Sequence, residues 1–167
     1  GAWRLLRRYC RRTAASAHGV VSPSWLCARF VQSRYGLAAE RVAAIPYGLD
    51  PAFHGLARPP DTALDTRFLF AGQYLPRKGT ALLERLVPAL GRAHPGIRLT
   101  LVVPGHDVSR VEARYRPAFG ARLAVLPWVP RARLMPLYLE HDAFLFPSYF
   151  EGFGKTFLEA MACGLCV

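Results

Sequence analysis

From residue 67 onward, short apolar runs alternate with segments of helical period, and this alternation leaves the chain very few folds. Arg67–Gly72, Arg98–Val103, Arg122–Leu126 and Ala143–Phe146 read as strands. Thr80–Ala93, Val108–Phe119, Arg131–Glu140 and Gly154–Cys163 read as helices. Pro117 falls near the end of the second helix and Pro136 in the first turns of the third, while Gly164 stops the fourth. Strands joined by helices of this length pair in parallel through right-handed crossovers. The expected fold is therefore α/β, a doubly wound parallel sheet. Leu165-Cys166-Val167 reads as the first half of a buried strand, so the sheet is expected to be unfinished and the chain a fragment.

The first part of the chain is organised differently. Residues 3–15 read as a helix in which Arg4, Arg7, Arg8, Arg11 and Arg12 share an arc of roughly 140°. His18–Ser22 reads as a strand, Ser22 and Pro23 as an N-cap and first helical position, and Ser24–Tyr35 as a helix stopped by Gly36. Val42–Ile45 reads as another strand, followed by the turn-rich Pro46–Pro51. Phe53–Asp65 lacks periodicity and reads as a linker or crossing segment.

Two loops combine residue types that bind a ligand. In a doubly wound fold ligands meet the carboxyl ends of the strands, where loops run into helix N-termini. Gly72-Gln73-Tyr74-Leu75-Pro76-Arg77-Lys78-Gly79 places two cations beside such an N-terminus, which suits a diphosphate, although a basic solvated turn has the same residues. In the second loop, Glu151-Gly152-Phe153-Gly154 precedes a helix carrying Glu159. Glycines there let backbone amides approach a ligand, and carboxylates suit neutral hydroxyls rather than phosphate. Taken alone, Glu159 reads better as an i, i+4 partner of Lys155 on an exposed helix face, and Glu151 as a turn residue. A single ligand with hydroxyls at both ends and phosphates between them accounts for both loops, and a nucleotide sugar has that form.

SYFEGFGKTFLEAMACG, residues 148–164, resembles the signature of family-4 (group 1) glycosyltransferases, with two glutamates eight positions apart around Gly-Phe-Gly. The resemblance extends to IPYGLD at 45–50, FAGQYLPRKG at 70–79 and LPWVPRARLMPLYLEHDAFLFPS at 126–148. It implies a two-lobed GT-B architecture with Rossmann-like lobes. Residues 1–47 would be the tail of the N-terminal acceptor lobe, 48–66 the crossing linker and 67–167 a truncated donor-binding domain. It also implies transfer of a sugar from a nucleotide sugar with retention of anomeric configuration, without cofactor or metal. Glu151 would hold hydroxyls of the donor sugar and Glu159 those of the ribose. Backbone amides of Gly152, Phe153 and Gly154 would face sugar and phosphate, and Lys78 would neutralise the diphosphate. Gly72, Gln73 and Arg77 complete the expected donor site. Gln73 stands where the family usually has a second cation, with Arg77 as the candidate substitute, and Lys155 stands where it usually has an uncharged residue. The acceptor is unassigned, with lipid-linked and polysaccharide acceptors both open. Rival readings are a sugar-nucleotide epimerase or phosphorylase of similar architecture, or a non-catalytic binding homologue, which Gln73 favours.

Composition narrows the partners. Net charge is +11, with 22 basic residues of which only Lys78 and Lys155 are lysine, a bias that codon usage explains as well as a ligand does. The charge lacks an aromatic-interleaved basic motif, so nucleic acid is not expected. No apolar run reaches the roughly 18 to 20 residues of a membrane span, and a cytoplasmic protein is expected. The arginine face of residues 3–15, with no acid before Glu40, is a candidate for peripheral contact with anionic membrane. Cys163 and Cys166 have redox-pair spacing but lie at a helix C-terminus and read as structural thiols, the other two cysteines supply no zinc spacing, and the histidines, unclustered with carboxylates, read as surface or core residues rather than bases.

Overall fold

The computed structural model describes residues 2–56 and 66–167, and the chain divides into two compact units after Gly48. In the first unit, α1 (Ala2–Ser16) precedes β1 (Val20–Ser22), α2 (Trp25–Tyr35) and β2 (Val42–Ala44). The two strands are parallel, with Val20 opposite Val42 and Ser22 opposite Ala44. Ala28, Leu37 and Val42 form a small core under them. Arg41 ties the end of α1 to this unit by donating to the carbonyls of Ala15 and Ala17.

The helix start differs from the sequence expectation. Ser22 is a buried strand residue, and Ser24 is the N-cap, its hydroxyl accepting the Cys27 N–H at 3.2 Å. Pairing with β2 keeps the chain extended through Ser22, so the cap falls one serine later. Gly36 closes α2 in the left-handed region, as expected.

The second unit holds β3 (Arg67–Ala71), α3 (Thr80–Ala93), β4 (Arg98–Val103), α4 (Val108–Phe119), β5 (Leu123–Pro127), α5 (Arg131–Glu140), β6 (Ala143–Phe144) and α6 (Lys155–Ala162). Its sheet is wholly parallel in the order β5-β4-β3-β6. Successive side chains go to opposite faces. Phe70, Leu99, Leu101 and Val103 pack against Leu83 and Val87 of α3 and Val111, Tyr115 and Phe119 of α4. Leu69, Ala71, Val102 and Phe144 pack on the other face with Tyr138 of α5 and Ala160 and Cys163 around α6. The chain steps outward from β3 to β5 with helices on one face, then returns across the sheet to β6 with helices on the other. Strand order thus reverses between β3 and β6, which is where such a sheet opens a ligand crevice.

Local chemistry explains the boundaries. Pro88 lacks the N–H that would bond the Glu84 carbonyl inside α3, and Arg114 of α4 donates to that carbonyl at 2.8 Å instead. Arg122, expected in a strand, closes a 3₁₀ turn and donates to the carbonyls of Gly91, Ile97 and Ala118. β6 is shorter than expected, although Leu145 N–H still bonds the Leu69 carbonyl at 2.7 Å. Cys166 forms a parallel bridge with Ala143, so the last residues run alongside β6.

Part of the expected linker has structure. Asp50 caps a 3₁₀ turn over Pro51–Phe53, and Phe53 is buried against Tyr138. Burial of that ring contributes about 2 kcal/mol to holding the segment on the second unit. Residues 57–65 lie outside the described residues.

Candidate active site

The loops after β3 and β6 carry the residues singled out above, and they touch. Gly79 has φ 73°, and a Cβ there would stand 2.0 Å from the Pro147 carbonyl oxygen, so only glycine lets the loops meet. Tyr149 N–H donates to the Arg77 carbonyl at 2.9 Å across the same seam.

This seam brings Lys78, Arg77, Gln73 and Glu151 together. Lys78 Nζ lies 2.5 Å from Glu151 Oε1 and 5.8 Å from the centre of the Phe146 ring. Arg77 Nη1 lies 3.7 Å from Glu151 Oε2, while Arg77 Nη2 donates to Gln73 Oε1 at 2.7 Å. Gln73 thus holds the neighbouring cation in the loop. Burial alone would raise the Glu151 pKa, but hydrogen bonds from Lys78 and Ser148 and the charges of Lys78 and Arg77 outweigh it and hold the carboxyl below its ordinary value. Glu151 is an ionised acceptor at neutral pH.

Gly154 precedes α6 with φ 83°, and Gly152 and Phe153 come just before it. Gly72, counted in the expected donor site, directly follows β3. Its N–H is committed to the Val102 carbonyl at 3.0 Å, so what it contributes is space. With Val102, Trp128, Arg131, Leu134 and Thr156 it lines a cavity of about 200 Å³ at the strand ends.

Glu159 stands in a separate cluster. Its Oε2 accepts from the Tyr138 hydroxyl at 3.1 Å, and its Oε1 lies 3.8 Å from Arg131 Nη2. Sequence reasoning did not single out Arg131, Tyr138 or Asp50 as site residues. Arg131 opens the helix that follows β5, and a cation at a strand's carboxyl end was a usable signal. Burial and the adjacent Glu159 push the Tyr138 hydroxyl pKa up, so it donates rather than ionises. Burial and then Glu159 push the Cys163 thiol up as well, which fits a packing role and not a reactive one. Among the described residues no cluster of metal-binding side chains occurs, and no helix is long and apolar enough to cross a membrane. A larger groove of about 610 Å³ beside Leu82, Leu86 and Leu145 is lined only by apolar residues and Pro147.

Residues 65–167, well over half the chain, match the family described as glycosyl transferases group 1. The chain belongs to that family. As a group 1 glycosyltransferase chain it is 31% identical over 170 residues to a D-inositol 3-phosphate glycosyltransferase of Acidothermus cellulolyticus, covering 90% of this chain and 37% of that protein. Among solved structures it is similar to sucrose-phosphate synthase from Thermosynechococcus elongatus, with TM-score 0.73 and 22% identity over 95% of this chain and 42% of the other. It is also similar to HepE of Anabaena, solved with UDP and glucose, with TM-score 0.68 and 21% identity over 95% of this chain and 46% of the other. These likenesses establish a GT-B glycosyltransferase fold for the group 1 chain, which spans little more than a third of the inositol-phosphate relative's length.

Proposed function

We propose that this chain supplies the donor site of a retaining, family-4 transferase that moves a glycosyl unit from a nucleotide sugar. The observation that carries the reading is the contact of Lys78 with Glu151 at the reversal point of the sheet, between the loops after β3 and β6. A cation and an ionised carboxylate sharing one crevice match a ligand whose phosphates adjoin sugar hydroxyls. Lys78, with Arg77 steadied by Gln73, neutralises the departing diphosphate, and the α6 N-terminus adds its dipole. Glu151 takes sugar hydroxyls, Glu159 the ribose hydroxyls, and the amides of Gly152–Gly154 the sugar and phosphate. Catalysis then rests on positioning and charge stabilisation, with no mobile base, cofactor or metal.

In this reading residues 1–47 belong to the acceptor lobe and residues 67–167 to the donor lobe. The acceptor is a hydroxyl compound, and the relative's name makes inositol phosphates the first to try, beside lipid-linked and polysaccharide acceptors. The basic face of α1 favours a peripheral position at the inner face of a membrane.

The test is turnover by the full-length protein with a panel of UDP-, GDP- and ADP-sugars, with and without chelator. NMR of the product should show the donor's anomeric configuration, and turnover should persist in EDTA. An inverted product refutes retention. Epimerised donor without transfer, or tight donor binding without any turnover, moves the protein to the corresponding rival class.

A further inference from the structure

Two side chains beside Glu159 have no part in the donor reading above. Arg131 is the first residue of α5, and its Nη1 lies 2.6 Å from Asp50 Oδ2. Its guanidinium lies 5.0 Å from the Phe53 ring centre, and Nη2 faces Glu159 at 3.8 Å. Asp50 is itself fixed, because its Oδ1 accepts the Ala52 N–H at 2.8 Å. Tyr138 closes the circuit, since it donates to the other Glu159 oxygen and meets Phe53 edge-on at 6.1 Å between ring centres.

We propose that Asp50 and Arg131 are positioning residues for Glu159, and that through them a ribose in the site orders residues 49–53. The proposal rests on the reading of Glu159 as the ribose-binding carboxylate. A carboxylate has about four lone-pair sites. Tyr138 takes one on Oε2 by its hydrogen bond, while Arg131 faces Oε1 as an ion pair at 3.8 Å, which leaves room on both oxygens for a vicinal pair of hydroxyls. Both neighbours are needed to fix the carboxylate plane, because a single bond leaves it free to rotate about that contact. Arg131 suits this role because its planar fork engages two carboxylates at once. One arm is anchored by Asp50 and one face lies against Phe53, so its direction towards Glu159 is set by the segment at 50–53. Arg131 and Thr156 also line the cavity of about 200 Å³ at the strand ends, which puts the fork next to the ligand's place.

The experiment is calorimetric titration of the full-length protein with UDP, GDP and ADP and with their 2′,3′-dideoxy counterparts. Wild type is compared with Asp50→Asn, Arg131→Gln, Arg131→Lys, Glu159→Gln and the double variant Asp50→Asn/Glu159→Gln. Since the ion pairs are partly exposed, Asp50→Asn and Arg131→Gln are expected to weaken the ribonucleotide about three- to tenfold. They should leave the dideoxy ligand unchanged and add nothing in the Glu159→Gln background. Arg131→Lys should recover part of the loss, and it remains informative should Arg131→Gln unfold. Hydrogen exchange at residues 49–53 should slow with ribonucleotide and not with the dideoxy form. Equal losses for both ligands, or an undiminished Asp50→Asn effect in the Glu159→Gln background, would mean a merely structural ion pair and overturn the proposal. A wild type indifferent to the missing hydroxyls would instead sink the ribose assignment, and the proposal with it.

Discussion

Lys78 Nζ and Glu151 Oε1 are 2.5 Å apart with side chains 14% and 18% exposed, so the two groups assigned to the donor's phosphates and sugar neutralise each other. On the proposed reading, donor binding is an exchange in which Lys78 turns to the diphosphate and Glu151 to sugar hydroxyls. A ligand with phosphates but no sugar breaks this pair and gives Glu151 nothing in return. Glu151→Gln should therefore leave nucleoside diphosphate affinity unchanged or raise it by up to about tenfold, while sugar transfer falls by about a hundredfold. Lys78→Ala should weaken both ligands. Titration and steady-state kinetics on the same preparations decide the matter, and a Glu151→Gln loss as large for the diphosphate as for transfer would refute the exchange.

Much of the second unit was legible because its signals were local. Thr80–Ala93, Arg98–Val103, Val108–Phe119 and Arg131–Glu140 begin and end where their periodicity does. The seam residues were also legible, since Lys78 and Glu151 each sit in a loop with glycines beside a helix start. What was hidden depends on distant segments meeting. The engagement of Glu159 by Arg131 requires residues 50, 131 and 159 to converge, and no single stretch records that. Ser22 and Ser24 carry nearly the same capping signal, and the choice between them was made by β2, twenty residues away.

His141 supplies a pH-dependent test of the fold. It is buried, with Nδ1 2.6 Å from the Leu137 carbonyl and Nε2 2.8 Å from Thr100 Oγ1. A carbonyl only accepts, so Nδ1 carries the proton and Nε2 accepts from the threonine. Burial lowers its pKa below the ordinary 6.5, outweighing the Leu137 carbonyl and the charges of Glu140 and Asp142, which raise it, while Arg67 lowers it further. The folded state then refuses a proton that the unfolded chain accepts. Stability is full above 6.5 and declines as pH falls below it, by at most about 1.4 kcal/mol per pH unit. Thermal unfolding from pH 7.5 to 5.5 should show this decline, and His141→Gln, though less stable at pH 7.5, should flatten it. An unchanged slope in the variant would assign the decline to other groups.

Arg122 should be a stability determinant with no role in binding. Its guanidinium donates to Ile97, Gly91 and Ala118 carbonyls at 2.7, 2.9 and 3.0 Å, joining the ends of α3, β4 and α4. It also lies 5.3 Å from the Phe119 ring centre. Arg122→Ala leaves these carbonyls to water or to nothing, a cost of about 2–3 kcal/mol. Arg122→Lys should rescue little, because one ammonium cannot match a fork spread over three acceptors. Denaturant titration measures the loss, and a cost under about 0.5 kcal/mol, as for an ordinary surface site, would show that the clamp is not formed in solution.

The exposed face of α1 offers the remaining test, of peripheral membrane contact by the full-length protein. Trp3, Leu5, Leu6 and Tyr9 are exposed on this helix, and Arg4, Arg7, Arg8, Arg11 and Arg12 cluster on the opposite arc. A helix of this kind lies in the headgroup plane, with apolar side chains inserted and arginines reaching to phosphates. Each basic side chain near an anionic surface contributes on the order of 1 kcal/mol, so five would be enough for weak, reversible binding. The attraction is electrostatic and falls within a Debye length, so it should weaken steeply between about 0.05 and 0.5 M salt. Co-sedimentation with vesicles of phosphatidylglycerol and phosphatidylcholine should show binding at low salt, loss at high salt, and none to phosphatidylcholine alone. Changing the five arginines to glutamine should abolish it while leaving nucleoside diphosphate binding intact. If wild type ignores anionic vesicles at low salt, or the variant binds them equally well, the arginines are a solvated face and the docking reading is wrong.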